Sequence, residues 1–184
     1  EIGKVTKEQR SHAKIVNFGI IYGVSAFGLS NQTNLNRSES KLIIDNYYNS
    51  YPALKEFMTN QINFARENGF VQTILGRKRF LNDINSRNGM VRSSAERNAI
   101  NTPVQGSAAD IIKLSMIKIN EELKKHSLKS KLILQVHDEL VFDVPQEEVD
   151  LIKKIIIENM ENAYKLKVPL IVDLGIGNNW LEAH

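Results

Sequence analysis

Two apolar runs in the last third of the sequence constrain the fold more than any other feature. Residues 132–136 and 140–144 are rich in Leu and Val, and only His137, Asp138 and Glu139 separate them. Runs of this length and composition are typical of strands with at least one buried face. Because the connection is so short, the stretch predicts a β-hairpin whose tip carries a histidine and two carboxylates.

This ionisable tip has two interpretations. Neighbouring carboxylates repel each other unless a cation lies between them or one of them takes up a proton. A hard divalent cation, which prefers oxygen ligands, would therefore suit Asp138 and Glu139. The alternative is a charged tip that only keeps the edge of the sheet soluble. This stretch by itself favours neither interpretation.

Helix signals dominate the sequence before the hairpin. Thr6 and Gln9 match a capping box, which predicts a helix that reaches about Tyr22, with Gly23 just beyond its end. Further helices are predicted to begin after Ser25, after Asn36 and at Pro52, and to cover residues 90–101, 107–125 and 147–165. Helices that precede an antiparallel hairpin indicate an α+β fold, with a helical subdomain in front of a sheet subdomain.

Three further segments also predict strands. Residues 70–75 and 78–81 flank Gly76-Arg77, and this pattern predicts a small hairpin with Arg77, Lys78 and Arg79 at a basic tip. The tip is either solvated or a phosphate contact. Residues 168–174 predict a final strand, which Pro169 would place at a strand start or at a sheet edge.

The first helix carries an ordered stripe of four side chains. Arg10, Lys14, Phe18 and Tyr22 recur every four residues and therefore lie near one helix face, over roughly 18 Å. Two cations followed by two rings would suit a triphosphate at one end and a sugar and base at the other. The alternative, which this helix alone favours, is an amphipathic helix with a solvated basic end and a buried aromatic end.

A second stripe contains hydrogen-bonding side chains. Arg97, Asn101 and Gln105 also recur every four residues, but Pro103 disfavours a helical conformation at Thr102. Gln105 is therefore expected on a new element. All three side chains can donate to the acceptors that every base pair presents in the minor groove, which would recognise a duplex without reading its sequence.

Composition excludes some classes of protein. The 184 residues contain no cysteine, which rules out disulfide and thiolate-metal sites and fits a cytoplasmic location. No apolar run approaches the roughly 20 residues of a membrane span, so no membrane partner is expected. The net charge of +3 permits a polyanionic partner without requiring one.

Three motifs together resemble one family. Residues 10–23 resemble the fingers helix of family A DNA polymerases, those similar to bacterial DNA polymerase I. Residues 135–139 resemble the second metal-binding carboxylate motif of that family, and residues 97–106 resemble its segment that contacts primer and template. The motifs occur in the family's order and at similar spacing, and the resemblance covers the whole chain.

The resemblance implies a role for each residue of the first helix. Arg10 and Lys14 would bind the incoming triphosphate, and Lys14 would also assist the chemistry. Phe18 would pack on the sugar and base of the nucleotide. Tyr22 would lie beside the nascent base pair.

It also implies roles for the other two motifs. Asp138 would ligate magnesium with support from Glu139, and His137 would approach the primer terminus. Arg97, Asn101 and Gln105 would contact the duplex. Residues 1–92 would then be a helical fingers subdomain, and residues 93–184 would be part of a palm in which a hairpin packs on helices.

The implied function is DNA-directed DNA polymerisation in replication and repair. A primer 3′-OH would attack a dNTP on primer–template DNA with two Mg²⁺ ions. The resemblance places a first catalytic aspartate before the fingers helix, so we expect a C-terminal fragment that is inactive alone and that self-associates through an exposed sheet edge. Two alternatives are a fragment similar to single-subunit RNA polymerases, which Phe18 disfavours, and a non-catalytic nucleic-acid-binding module.

Overall fold

The computed structural model describes residues 5–183, and within them it is an α+β structure that divides between Val104 and Gln105 into two compact units. The elements of the first unit are α1 Lys7–Ile21, α2 Ala26–Ser30, α3 Arg37–Ser50, α4 Pro52–Asn68, β1 Phe70–Gln72 and β2 Lys78–Phe80. The helix α5, Gly89–Lys125, extends from the first unit into the second. The elements that follow are β3 Lys131–Val136, β4 Glu139–Asp143, a 3₁₀ turn Gln146–Glu148, α6 Val149–Glu161 and α7 Trp180–Ala183. None of the helices described is both long and apolar enough to span a bilayer.

The helix starts of the first unit follow the predicted caps. The Thr6 hydroxyl accepts a hydrogen bond from the Gln9 amide, and the Gln9 side chain accepts one from the Thr6 amide. Asn36 and Glu39 form the same reciprocal pair at the start of α3. These bonds satisfy amides that have no partner inside the helix, so local sequence was sufficient to predict both starts.

The core of the first unit joins the small hairpin to two helices. Its buried members are Ala65, Val71, Leu81, Ile84, Ala95 and Ala99. The hairpin strands have only three residues each, with Phe70 opposite Phe80 and Val71 opposite Arg79. The predicted strands 70–75 and 78–81 were therefore too long. Lys78 and Arg79 already belong to β2, whereas Arg77 ends the turn.

The predicted break before Pro103 is wrong, because α5 continues through this proline. A proline inside a helix removes one backbone hydrogen bond and costs about 3 kcal/mol. Buried side chains on the preceding turns, including Ile100 and Thr102, hold the helix in place. Their packing outweighs the local preference at Thr102, so Gln105 lies in the same helix as Arg97 and Asn101 and not on a new element.

In the second unit the β3–β4 hairpin packs on helices, as predicted. The buried cluster consists of Ile119, Leu123, Ile152, Ile155 and Ile156, and Leu128, Leu140 and Phe142 pack against it. The strands pair from Lys131 opposite Asp143 to Val136 opposite Glu139, with an irregularity between Leu132 and Leu134. The side chains of Ile133 and Leu134 remain exposed, so part of β3 is not covered by the described residues.

The C-terminal predictions were less accurate. Helix α6 ends at Glu161, not near 165, and Lys118 donates to the carbonyls of Asn162 and Ala163 just beyond this end. The strand predicted at 168–174 is wrong, because this segment pairs with no strand within the described residues. A strand forms only where its backbone finds a partner, and Ile171 is 80% exposed.

Candidate functional site

The stripe on α1 is exposed along most of its length. The rings of Phe18 and Tyr22 stack with centroids 6.2 Å apart and planes 18° apart. Phe18 is 45% exposed, so the aromatic end of the helix is not buried. Arg10 and Lys14 are also exposed. This exposure disfavours the interpretation of the stripe as a helix face that only packs into a core.

The stripe faces a cleft of about 650 Å³ within the first unit. The lining residues are Ser11, Lys14, Ile15, Phe18, Gly19, Tyr22, Val24, Ser25, Gly28, Gln32, Arg97 and Asn101. The structure therefore brings three residues of the first motif together with two of the second. Arg10 does not line the cleft, and it lies on α1 about one turn before Lys14.

Gly23 allows α1 to end beside α5. Its φ of +74° is in the left-handed region, where residues with a Cβ are strained. A Cβ at this position would also lie 3.2 Å from Cδ1 of Ile100. A glycine thus permits both the turn and the close approach that form this end of the cleft.

One cleft side chain has a polar atom with no protein partner. Oδ1 of Asn101 is buried and accepts no hydrogen bond from the described residues. An unsatisfied buried acceptor costs about 1–3 kcal/mol, so a ligand or water that donates to it would be stabilised. Its neighbour Arg97 donates to the Ser93 hydroxyl at 3.3 Å. Gln105 is exposed and does not line this cleft.

The tip of the β3–β4 hairpin is shorter than predicted. Only His137 and Asp138 connect the strands, because Glu139 is the first residue of β4 and pairs with Val136. His137 has a φ of +53°, a left-handed conformation that His tolerates better than most residues. The Gln135 side chain donates to the His137 carbonyl at 2.6 Å and so braces the turn.

This tip fits a metal only in part. Asp138 is exposed, and its carboxylate has no hydrogen-bond or ion-pair partner among residues 5–183. A carboxylate with this freedom suits Mg²⁺, which commonly binds one or two carboxylates and completes its octahedron with water and phosphate oxygens. Glu139 is half-buried and already has an interaction. No group of three His, Asp or Glu side chains that could hold a metal occurs in the described part of the chain.

The base of the same hairpin contains a carboxylate that the sequence analysis missed. Glu148 accepts hydrogen bonds from the amides of Lys129 and Ser130 at 2.8 and 2.9 Å, and from the Ser130 hydroxyl at 2.6 Å. The Lys129 amide is the main cause that lowers the pKa of Glu148 below its ordinary value, and the Ser130 hydroxyl adds to it. Contacts between residues 18 and 19 positions apart leave no periodic signal in a sequence.

Comparison with known proteins places this α+β chain among the polymerases. Residues 1–182 match the family model described as DNA polymerase family A. The chain therefore belongs to DNA polymerase family A, and the resemblance seen in the sequence is confirmed.

The chain is similar to proteins named DNA polymerase I. It is 52% identical over 182 residues to that of Caldicellulosiruptor bescii, covering 99% of this chain and 21% of the relative. It is 46% identical over 180 residues to that of Bacillus subtilis, covering 98% of this chain and 20% of the relative. The chain thus spans about a fifth of the length of these relatives.

A solved structure has the same fold. It is described as the POL domain of Pol1 from M. smegmatis in complex with DNA primer-template and dNTP. The TM-score is 0.95 at 40% identity, and the match covers 100% of this chain and 32% of that chain. The α+β architecture predicted from the sequence therefore matches that of part of a solved polymerase domain.

Proposed function

We propose that this chain is the part of a DNA-directed DNA polymerase that binds the incoming dNTP and contacts the primer–template. The observation that carries the proposal is the cleft that joins Lys14, Phe18 and Tyr22 of one motif to Arg97 and Asn101 of another. Membership of DNA polymerase family A supports it. The solved relative, whose complex contains DNA primer-template and dNTP, supports the same partners.

The nucleotide would lie along α1. Lys14 borders the cleft and Arg10 precedes it by about one turn, so the two cations would bind the triphosphate. A fixed positive charge at Lys14 would stabilise the negative charge that develops on the phosphates during transfer. The stacked rings of Phe18 and Tyr22 would then contact the sugar, the base and the nascent pair.

The nucleic acid would contact side chains that donate hydrogen bonds. Arg97, Asn101 and Gln105 would contact the duplex in its minor groove, where all base pairs present similar acceptors. His137, exposed at the tip of the β3–β4 hairpin, would approach the primer terminus. These contacts would position the primer without selecting a sequence.

Asp138 would be the metal ligand of this chain, with Glu139 in support. Bound magnesium would supply charge that activates the primer oxygen and neutralises the triphosphate, two ions being needed for both tasks. The exposed carboxylate of Asp138 would contribute one oxygen to this arrangement. Asp138 would place this negative charge at the tip of the turn, which the hydrogen bond from Gln135 stabilises.

The subdomains would follow the family pattern. Residues 1–92 would form the fingers, and residues 93–184 would form part of the palm. The division into compact units between Val104 and Gln105 falls within α5, twelve residues beyond that boundary. The protein to which these residues belong would act in DNA replication and repair, in the cytoplasm.

The proposal can be tested in a chimera. These residues would replace the matching 182 residues of the C. bescii relative, to which they are 52% identical. In single-turnover incorporation, Lys14→Ala should reduce the rate about a hundredfold or more, because removing one preorganised charge contact typically costs about 3 kcal/mol. Asp138→Asn should reduce it at least as much.

Matched controls make the result specific. Lys41 is exposed on α3 and does not line the cleft, so Lys41→Ala should leave incorporation within twofold of the parent. Lys14→Ala incorporation within a fewfold of the parent would refute the assignment of the cleft, and unchanged incorporation by Asp138→Asn would refute the metal role.

A further inference from the structure

The β1–β2 hairpin and the loop after it form a positively charged segment of the chain. Residues 70–92 contain five Lys and Arg residues and one Asp, a net charge of +4, whereas the whole chain has +3. The remaining residues together are therefore slightly acidic. Such a concentration of one sign attracts a polyanion to this surface.

The hairpin has an inner and an outer face. Residues directly opposite each other in a pair of strands share a face, so Val71 and Arg79 lie on one side and Phe70 and Phe80 on the other. On the inner face Val71 is fully buried and Nη1 of Arg79 donates to the Thr102 hydroxyl at 3.2 Å. The inner face therefore attaches the hairpin to the core and to α5.

The outer face presents an aromatic ring beside a cation. Phe80 is 70% exposed, and its ring centroid lies 6.0 Å from that of Phe70 in an edge contact. Phe70 also contacts Phe64 at 5.6 Å, while Nζ of Lys78 lies 4.2 Å from the Phe70 centroid. These contacts hold Lys78 next to the exposed ring.

This face is separate from the cleft. Thr102 follows Asn101, which lines the cleft, and successive residues of a helix point about 100° apart. The hairpin therefore attaches to a different side of α5. None of Phe80, Lys78 and Arg77 lines the cleft.

We propose that the outer face of the β1–β2 hairpin binds single-stranded nucleic acid, with a base stacked on Phe80 and a backbone phosphate paired with Lys78. An exposed ring beside cations is the arrangement by which proteins bind unpaired strands, since every base offers a π-face and every linkage a negative charge. In a duplex the base faces are already stacked, so the exposed ring favours an unpaired strand. The site goes beyond the proposed polymerase cleft, which binds nucleotide and duplex.

The test measures binding of a fluorescent oligothymidylate of about 12 nucleotides to the 184-residue chain by anisotropy. Phe80→Ala should weaken the affinity about fivefold to a hundredfold, the usual effect of losing one stacked ring. Phe80→Tyr keeps the ring and should bind like the parent. Phe80→Leu keeps apolar bulk without a π-face and should bind nearly as weakly as Phe80→Ala.

The salt dependence tests the phosphate contacts. Each phosphate contact with a single strand contributes about 0.7 to the slope of log affinity against log salt concentration. Lys78→Gln should reduce that slope by about this amount. Lys154→Gln, which removes an exposed lysine from α6 in the second unit, should leave the slope unchanged.

Several outcomes would overturn the site. These are no binding of the oligonucleotide, parental affinity of Phe80→Ala, or equal loss in Phe80→Tyr and Phe80→Ala while amide spectra show an intact hairpin. The site would also be contradicted if the chain bound the matching duplex more tightly than the single strand and Phe80→Ala did not change this preference. Incorporation by the Lys14 variant of the chimera is a separate readout, so failure of this site and failure of the polymerase proposal are distinguishable.

Discussion

At the scale of single residues, the cleft depends on side chains that the sequence motifs already contained. Lys14, Phe18, Tyr22, Arg97 and Asn101 were candidates because of their spacing and their resemblance to a family, and the structure places all five around one cleft. The buried Oδ1 of Asn101 was not predictable, because burial of a single atom depends on neighbours that are distant in the sequence. It is an acceptor whose partner is expected to come from a ligand or water.

Among residues 5–183, Asp138 has too few protein ligands nearby to bind a metal tightly. We expect the 184-residue chain to bind Mg²⁺ with a dissociation constant on the order of millimolar, because most ligands would be water. Isothermal titration calorimetry measures this affinity, and Asp138→Asn should abolish the remaining signal. Asp83→Asn, at an exposed carboxylate in the other unit, serves as the control. Sub-micromolar affinity that is lost in Asp138→Asn would show that the chain has a complete site.

At the scale of elements, local sequence signals predicted where helices begin and end. They did not predict whether a helix continues through a proline or whether a segment finds a strand partner. The capping boxes of α1 and α3 and the left-handed Gly69 after α4 follow from side chains within three or four residues. The passage of α5 through Pro103 and the failure of 168–174 to form a strand do not. A helix continues when packing on both sides outweighs one lost hydrogen bond, and a strand forms only against a partner.

The attachment of the β3–β4 hairpin by Glu148 predicts a pH dependence of stability. The pKa of Glu148 is lowered in the folded chain, chiefly by the Lys129 amide, so ionised Glu148 stabilises the fold. This stabilisation is present above the ordinary glutamate pKa and is lost as the pH falls through the lower folded value. Glu148→Gln should therefore lower the melting temperature at pH 7 and make less difference at about pH 3.

Thermal unfolding followed by circular dichroism at a series of pH values measures this difference. Glu147→Gln is the matched control, because Glu147 is exposed and approaches Lys129 only at 4.0 Å. Its melting temperature should follow the parent at every pH. A constant difference between Glu148→Gln and the parent from neutral to acid pH would contradict the role of the ionised carboxylate.

At the scale of the whole molecule, the chain corresponds to a fraction of its relatives. It covers 21% of the C. bescii relative and 32% of the solved polymerase domain. Asp138 would supply one carboxylate, whereas transfer of a nucleotide from a dNTP to the primer hydroxyl, with pyrophosphate leaving, would use two metal ions. The exposed apolar side chains of Ile133 and Leu134 on β3 offer a surface for self-association.

We therefore expect the 184-residue chain to bind DNA without extending a primer. Duplex affinity should be insensitive to sequence and should fall steeply with salt, because phosphate contacts dominate it. A primer-extension assay with Mg²⁺ and all four dNTPs should show no product, and sedimentation should show concentration-dependent self-association. Product that vanishes in Asp138→Asn would refute this expectation, and strong discrimination among shuffled duplexes would refute the mode of binding.

The amino-acid sequence alone determined the helix caps, the α+β class, the family and the residues of the cleft motifs. Each of these depends on residues close together in the chain or on short motifs at set spacing. Only the tertiary structure decided that α5 is continuous, that Glu139 belongs to a strand, that Glu148 holds the Lys129 and Ser130 amides, and that Phe80 stays exposed. These features depend on which distant segments bury one another. Tertiary packing can override the local preference of a segment, and this outcome cannot be predicted from a short stretch of sequence.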